Sequence, residues 1–399
     1  MRRILPILLL GLVAACSKDK DPDRPAKLVA FPETLKIQKV WSESVGGTKV
    51  PLRLGLGLNV EGDTVYAAGQ KGEIGAFNLQ NGHPVWQTRT KLPLGGAVGF
   101  GDGKIAVGST DGDVLLLDAQ SGKQLWSVNV AAEILAAPAV TPRLVLVRGV
   151  DGKLHALALA DGHEVWQQQQ PVPKLSLRGM ASPVVAGDVA VTGFDNGRVV
   201  ASSMIDGSSV WESQLQIPAG KTDIDRLVDI DTPVHILGND VYVVGFQGKV
   251  AMIALDSGQT WWSHDSSSYR GMAVDADNVY VSTSEGDVVA MKRRTGVELW
   301  RQKALAHRRL SGPVVAEDAI VVADFQGYVH WLDRTTGALM GRVRAGKVRY
   351  TNPPVYADGL LLLLNDRGVI DAFRATALAT HATAAASTSP TGQGSRTGG

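Results

Sequence analysis

Leu117-Asp118-Ala119-Gln120-Ser121-Gly122-Lys123-Gln124-Leu125-Trp126 runs from an apolar residue through a polar turn around glycine to a tryptophan four residues beyond it. The unit recurs. Gly82, Gly122, Gly162, Gly207, Gly258, Gly296 and Gly337 each stand in such a turn, and tryptophan follows at the fourth position in six cases: Trp86, Trp126, Trp166, Trp211, Trp262 and Trp300. A second glycine series lies ten residues upstream, at Gly72, Gly112, Gly152, Gly197, Gly248, Gly286 and Gly327, with Gly368 as an eighth member. A period of about 40 residues holding several short apolar segments marks a propeller, in which each repeat is one small sheet.

The apolar segments before the upstream glycines, such as Val65-Tyr66-Ala67-Ala68 and Leu144-Val145-Leu146-Val147, are β-branched and bounded by turns. They read as strand B, joined to strand C at the glycine, which supplies the positive φ of a hairpin turn. Ahead of B stand small residues and proline, as in Ala137-Pro138-Ala139-Val140 and Gly312-Pro313-Val314-Val315. They suit a crowded innermost strand A, where proline is tolerated at a strand start. The tryptophans fall on outermost strand D, where a large ring fills the wedge between diverging blades. The last unit, 350–373, has strands A to C but no Gly-x-x-x-Trp, whereas Trp41 precedes the first complete unit without strands of its own. Trp41 is therefore expected to supply strand D of the C-terminal blade, closing the ring and removing its free edges. The expected fold is all-β: a single eight-bladed β-propeller of four-stranded antiparallel blades over residues 37–374.

Forty Lys and Arg against 39 Asp and Glu leave no basic excess for nucleic acid. Cys16 is the one cysteine among 399 residues, so neither an intrachain disulfide nor a Cys-based zinc site is expected. Arg2 and Arg3 precede an apolar run from Ile4 to Val13 that is too short to span a bilayer and ends at Ala14-Ala15. Residues 1–15 read as a secretory signal peptide. Residues 16–36, charged and proline-bearing, read as a flexible tether. Residues 375–399, rich in Ala, Ser, Thr and Gly, have too little apolar surface to fold.

The spacing also marks two loops. From a strand D tryptophan to the next upstream-series glycine the gap is mostly 24–27 residues, but 31 from Trp166 to Gly197 and 37 from Trp211 to Gly248. The gap from Trp41 to Gly72 is also 31, so length alone is not fully selective. The extra residues lie in D-to-A connections, which emerge on one face, and loops on a rigid scaffold are where binding resides. One carries Leu175, Leu177 and Arg178; the other carries Asp223, Asp225, Arg226, Asp229 and Asp231. An apolar centre with charges around it fits a protein–protein contact, and mutual bracing of the loops is the plainer alternative.

The tryptophan unit resembles the docked repeat of pyrroloquinoline-quinone propellers. Val13-Ala14-Ala15-Cys16 resembles the bacterial lipobox, which implies acylation of Cys16, and Ser17 after it implies sorting to the outer membrane. Together these make residues 16–373 similar to the BamB family of outer-membrane assembly lipoproteins. The most specific stretches are Leu175-Ser176-Leu177-Arg178-Gly179 and 223–233. The resemblance implies a lipid-anchored protein on the periplasmic face of a Gram-negative outer membrane, a member of the BAM complex assisting insertion of β-barrel proteins. It implies BamA as partner, through a POTRA domain contacting Leu175, Leu177, Arg178, Asp229 and Asp231, with unfolded barrel proteins as a further partner.

The same resemblance raises a quinoprotein dehydrogenase as the competing reading. Its chemistry requires calcium and a carboxylate base around the quinone, whereas Asp111, Asp113, Asp151 and Asp195 lie in hairpin turns where Asp beside Gly is ordinary. The eight histidines are scattered without metal-ligand spacing, and no nucleophile triad or phosphate loop stands out. The expectation is a non-enzyme with no cofactor, metal or catalytic residue, and a ligand-holding propeller stays open as a third reading.

Overall fold

The computed structural model describes residues 23–46, 55–178 and 181–378. The signal peptide, Cys16 and residues 379–399 lie outside the described residues. Every regular element described is a strand, and the strands form eight four-stranded antiparallel sheets. Seven are consecutive in sequence, and the eighth joins the chain ends. Leu35–Ser44 pairs with Val369–Ala377, next to Leu360–Leu364 and then Val355–Ala357. We number the blades 1 to 8 from Leu58, blade 8 being this composite one. The fold is an eight-bladed propeller closed by the N-terminal strand, and Trp41 lies on strand D of blade 8, opposite Ala372. Pairing reaches Ala377, beyond the boundary expected at residue 374, because Leu35 to Ile37 provide it with partners.

The core is eight interfaces. Alternate residues on strand B face opposite neighbours: Val65 and Ala67 pack with Leu362 and Ile370 of blade 8, while Tyr66 and Ala68 pack with Ile105 and Val107 of blade 2. Both faces of a blade are buried, which is why strands B and C read as near-continuous apolar runs rather than an alternation. Innermost strands A are short, from Ala139–Val140 to Leu58–Glu61, and Leu58, Ala273, Val314 and Val355 from four of them line, with Pro233, Pro313 and Pro353, a central channel of about 550 Å³.

Each strand D tryptophan reaches into the following blade. The indole Nε1 of Trp41 donates to Leu79 O at 2.9 Å, that of Trp126 to Leu159 O at 2.9 Å and that of Trp300 to Arg334 O at 3.0 Å. Trp86, Trp166, Trp211 and Trp262 make the equivalent bond to Ala119, Met204, Leu255 and Arg293. Each ring covers the turn glycine of that next blade, so that a Cβ on Gly82 would lie 2.6 Å from Trp41 Cε3. A register shift beside each tryptophan, such as that between Leu116 and Leu117 opposite Trp126, adds the local twist that aims the ring. The upstream glycines also take positive φ, except in blade 5, where Gln247 at φ 47° carries the left-handed position in place of Gly248.

Residues 24–34 are not a free tether. Ala26 N–H donates to Ala306 O at 2.9 Å and Thr34 N–H to Met340 O at 2.8 Å, while Arg342 Nη2 donates to Val29 O at 2.7 Å. Leu28 packs against the core between blades 6 and 7, and the Arg342 guanidinium lies 5.1 Å from the centre of the Phe31 ring. Backbone groups that composition alone assigns to water are satisfied by blade 7, and this segment is a strap along its outer edge.

Candidate partner-binding face

B–C turns and D-to-A connections share one face of the ring, here the loop face; A–B and C–D turns occupy the opposite, hairpin face. The two enlarged connections, 170–183 between blades 3 and 4 and 215–234 between blades 4 and 5, are joined directly on the loop face. Leu177 N–H donates to Asp229 Oδ2. Asp229 also ties the loop to blade 5, because its carbonyl accepts the Phe246 N–H at 2.7 Å. The second loop folds on itself around Thr222 and Asp225: Thr222 N–H donates to Asp225 Oδ2 at 3.0 Å and Asp225 N–H to Thr222 Oγ1 at 3.1 Å. Leu227, Val228 and Ile230 anchor it in the core.

The expected site residues divide by burial. Leu175 is 41% exposed and Arg178 points outward, its guanidinium paired with the Glu133 carboxylate rather than with the aspartates. Arg178 adopts φ 88°, a backbone conformation costly for a residue with a side chain. Asp229 and Asp231 are buried, Asp231 in the wall of the central channel. Of the aspartates on the second loop Asp223 and Asp225 are exposed, whereas Asp229 lies beneath the first loop and holds its backbone. Burial pushes the Asp229 carboxyl up to about 7, with Asp195 and Asp231 adding to the rise and the Leu177 N–H and Arg148 opposing it. Asp195 itself is not a solvated turn residue, since it forms a buried ion pair with Arg148, whose guanidinium lies 5.2 Å from the centre of the Phe194 ring.

The loops also expose Val172, Ile217 and Ile224, at 41%, 71% and 66%. Gap length marks the loops but not which of their apolar residues turn outward, and a scattered Ile carries no signal by itself. Among the described residues no group of three or more His, Cys, Asp or Glu side chains is arranged to hold a metal ion.

The family model for outer membrane protein assembly factor BamB matches residues 27–93, 70–302 and 284–392. The assembly factor BamB of Pseudomonas aeruginosa is 46% identical over 308 residues, spanning 77% of this chain and 81% of that protein. The chain belongs to the BamB family. The crystal structure of BamB from Moraxella catarrhalis superposes with a TM-score of 0.78 at 28% identity, over 85% of this chain and all of that one. A quinohemoprotein alcohol dehydrogenase from Pseudomonas putida shares the fold alone, with a TM-score of 0.67 at 13% identity over 85% of this chain and 76% of its own. The curated BamB relatives are named as assembly factors, not as enzymes.

Proposed function

We propose that this BamB-family protein is a non-catalytic scaffold of the outer-membrane β-barrel assembly machinery, held on the periplasmic face of the outer membrane by acylation of Cys16. Its two enlarged loops bind a POTRA domain of BamA. The observation that carries the site is the Leu177–Asp229 hydrogen bond, which fuses two loops of successive connections into one surface. On that surface Leu175 supplies an exposed apolar side chain and Arg178 a guanidinium, both suited to a protein interface. Asp229 preorganises the first loop from below and does not touch the partner. Asp231 shapes the rim of the channel.

The double variant Leu175→Ala/Arg178→Ala is expected to lose co-purification with BamA while its thermal unfolding stays close to that of the parent. Undiminished co-purification removes the site assignment. Acylation is checked separately by palmitate labelling, which Cys16→Ser is expected to abolish.

A second role, holding unfolded barrel strands, draws support from the outer rim. The residue before each docking tryptophan is apolar and exposed: Val40 at 40%, Val85 at 59%, Leu125 at 47%, Val165 at 46%, Val210 at 52%, Trp261 at 58% and Leu299 at 44%. These sit on terminal strands of their sheets, where an extended segment adds by edge pairing. Photo-crosslinkers at Val165 and Trp261 are expected to capture stalled barrel substrate, and crosslinks to BamA alone speak against this role.

A further inference from the structure

The strap decides from which side the N-terminal chain leaves the ring. Leu35, the first residue of the closing strand, lies on the hairpin face, where Thr34 bonds the start of strand D in blade 7. From there the strap runs back to the loop face, where Arg308 of the blade 6-to-7 connection clamps it. Arg308 is 3% exposed; its Nε and Nη2 hold the buried Asp324, Nη2 also reaches Gln326 Oε1 at 2.7 Å, and Nη1 donates to Ala26 O at 3.0 Å. Arg24 stands eight positions after Cys16, a reach of at most about 28 Å. Were residues 24–34 free, the leash would start at Leu35 on the other face and reach about 65 Å.

The excess of exposed cations is larger on the same side. Lys27, Lys303, Arg309, Arg344, Lys347 and Arg367 are exposed on the strap and on the loop face of blades 6 to 8. Acidic groups there are few: Asp23 and Glu285 are exposed, and Asp366 is half-buried, accepting the Thr351 hydroxyl at 2.7 Å. Across the ring, the two enlarged loops expose Lys174, Arg178, Lys221 and Arg226 against Asp223 and Asp225, a smaller excess. Six exposed cations against two exposed carboxylates thus stand where the strap begins.

We propose that the loop face of blades 6 to 8 docks on an anionic phospholipid bilayer. The occupant follows from charge complementarity and from the short chain between this sector and Cys16; the geometry rests on the acylation reading above, and the charge does not. A basic patch beside acyl chains is a second membrane signal, screened by salt, and it fixes orientation where a leash alone fixes only distance. Blades 6 to 8 then lie against the bilayer, and the fused loops stand across the ring.

The test uses the mature chain from Ser17, without acyl chains, sedimented with vesicles. At low salt it is expected to bind phosphatidylethanolamine vesicles containing phosphatidylglycerol, to ignore phosphatidylcholine vesicles, and to be released as salt is raised. The set Lys303→Glu, Arg309→Glu, Lys347→Glu and Arg367→Glu is expected to weaken partitioning about tenfold or more. Glutamine at the same four positions gives a smaller loss and serves if the reversed set does not fold. Lys174→Glu/Lys221→Glu, on the opposite sector, stays within about twofold of the parent. No binding by the parent, equal binding by the four-site variants, or loss in the opposite-sector control overturns the proposal. Palmitate labelling of Cys16 reads independently, so failure of the anchor and failure of the patch are distinguishable.

Discussion

Gly122 has φ +70° and lies beneath the indole of Trp86, with no room for a side chain. Gly62 has φ +52° and nothing within 4 Å of where a Cβ would stand. The two separate backbone strain from lost packing. Gly62→Ala is expected to cost about 1–2 kcal/mol for the left-handed conformation alone. Gly122→Ala carries the same strain and also displaces Trp86, for a total of about 3 kcal/mol or more. Chemical denaturation of both variants checks the order, and equal losses contradict the docking account. Asp229 gives a pH prediction. Its carboxyl titrates at about 7 when folded and near 3.9 when unfolded. Between those values the folded state keeps a proton that the unfolded chain has lost, so this group makes stability fall as pH rises from about 4 to 7. Asp229→Asn retains an oxygen for the Leu177 N–H and has no proton to lose. The variant is expected to gain roughly 2–4 kcal/mol on the parent between pH 4 and pH 8, measured by urea denaturation at both values.

At the scale of the element, the departure from the repeat at Gly341 has a physical reason. Four residues after Gly337 a tryptophan is expected, and glycine stands there, opposite Trp331. The next blade is the composite one, whose strands C and D come from opposite chain ends and have no hairpin turn to dock on. Leu35 and Ile37 fill the space instead, and a Cβ on Gly341 would come within 2.9 Å of Ile37 Cδ1. Seven tryptophans therefore serve seven C–D turns. Gly341→Trp, which restores the repeat on paper, is expected to lower the melting temperature by overpacking worth about 1–3 kcal/mol. An unchanged or raised melting temperature argues against this account. The strap is the second such element. Deleting residues 24–34 leaves the closing strand in place but takes the Ala26 carbonyl from Arg308, for an expected loss of about 1–3 kcal/mol with the ring intact. Intrinsic fluorescence of the docked tryptophans should stay native-like below the transition.

At the scale of the molecule, stability is a sum over neighbouring interfaces, and one of them is made by residues more than 300 apart in sequence. Removing residues 24–45 opens the ring. It leaves Val369–Ala377, a nine-residue strand, as an exposed edge and uncovers the apolar cluster that Trp41 and Val45 pack against. The expected outcome is association through that edge, seen as higher oligomers by light scattering, whereas a monomer of unchanged melting temperature contradicts closure as a source of stability. Much of this architecture was legible in the chain, because glycine and tryptophan at fixed phase are local demands of turns and wedges. Blade number, strand order and Trp41 as the closing residue follow from that phase. Contacts between repeats were not legible: Trp86 docks on Gly122 rather than on its own turn, and Arg178 pairs with Glu133 of another connection. The two enlarged loops were visible as excess length, yet the burial of Asp229 and Asp231 was not, since a carboxylate looks the same in sequence whether it faces water or another loop. What repeats can be read along the chain, because turn geometry and β-propensity are written residue by residue. Which aspartates are buried and where the strap lies emerge in the folded ring alone, because these depend on side chains that meet once the ring has closed.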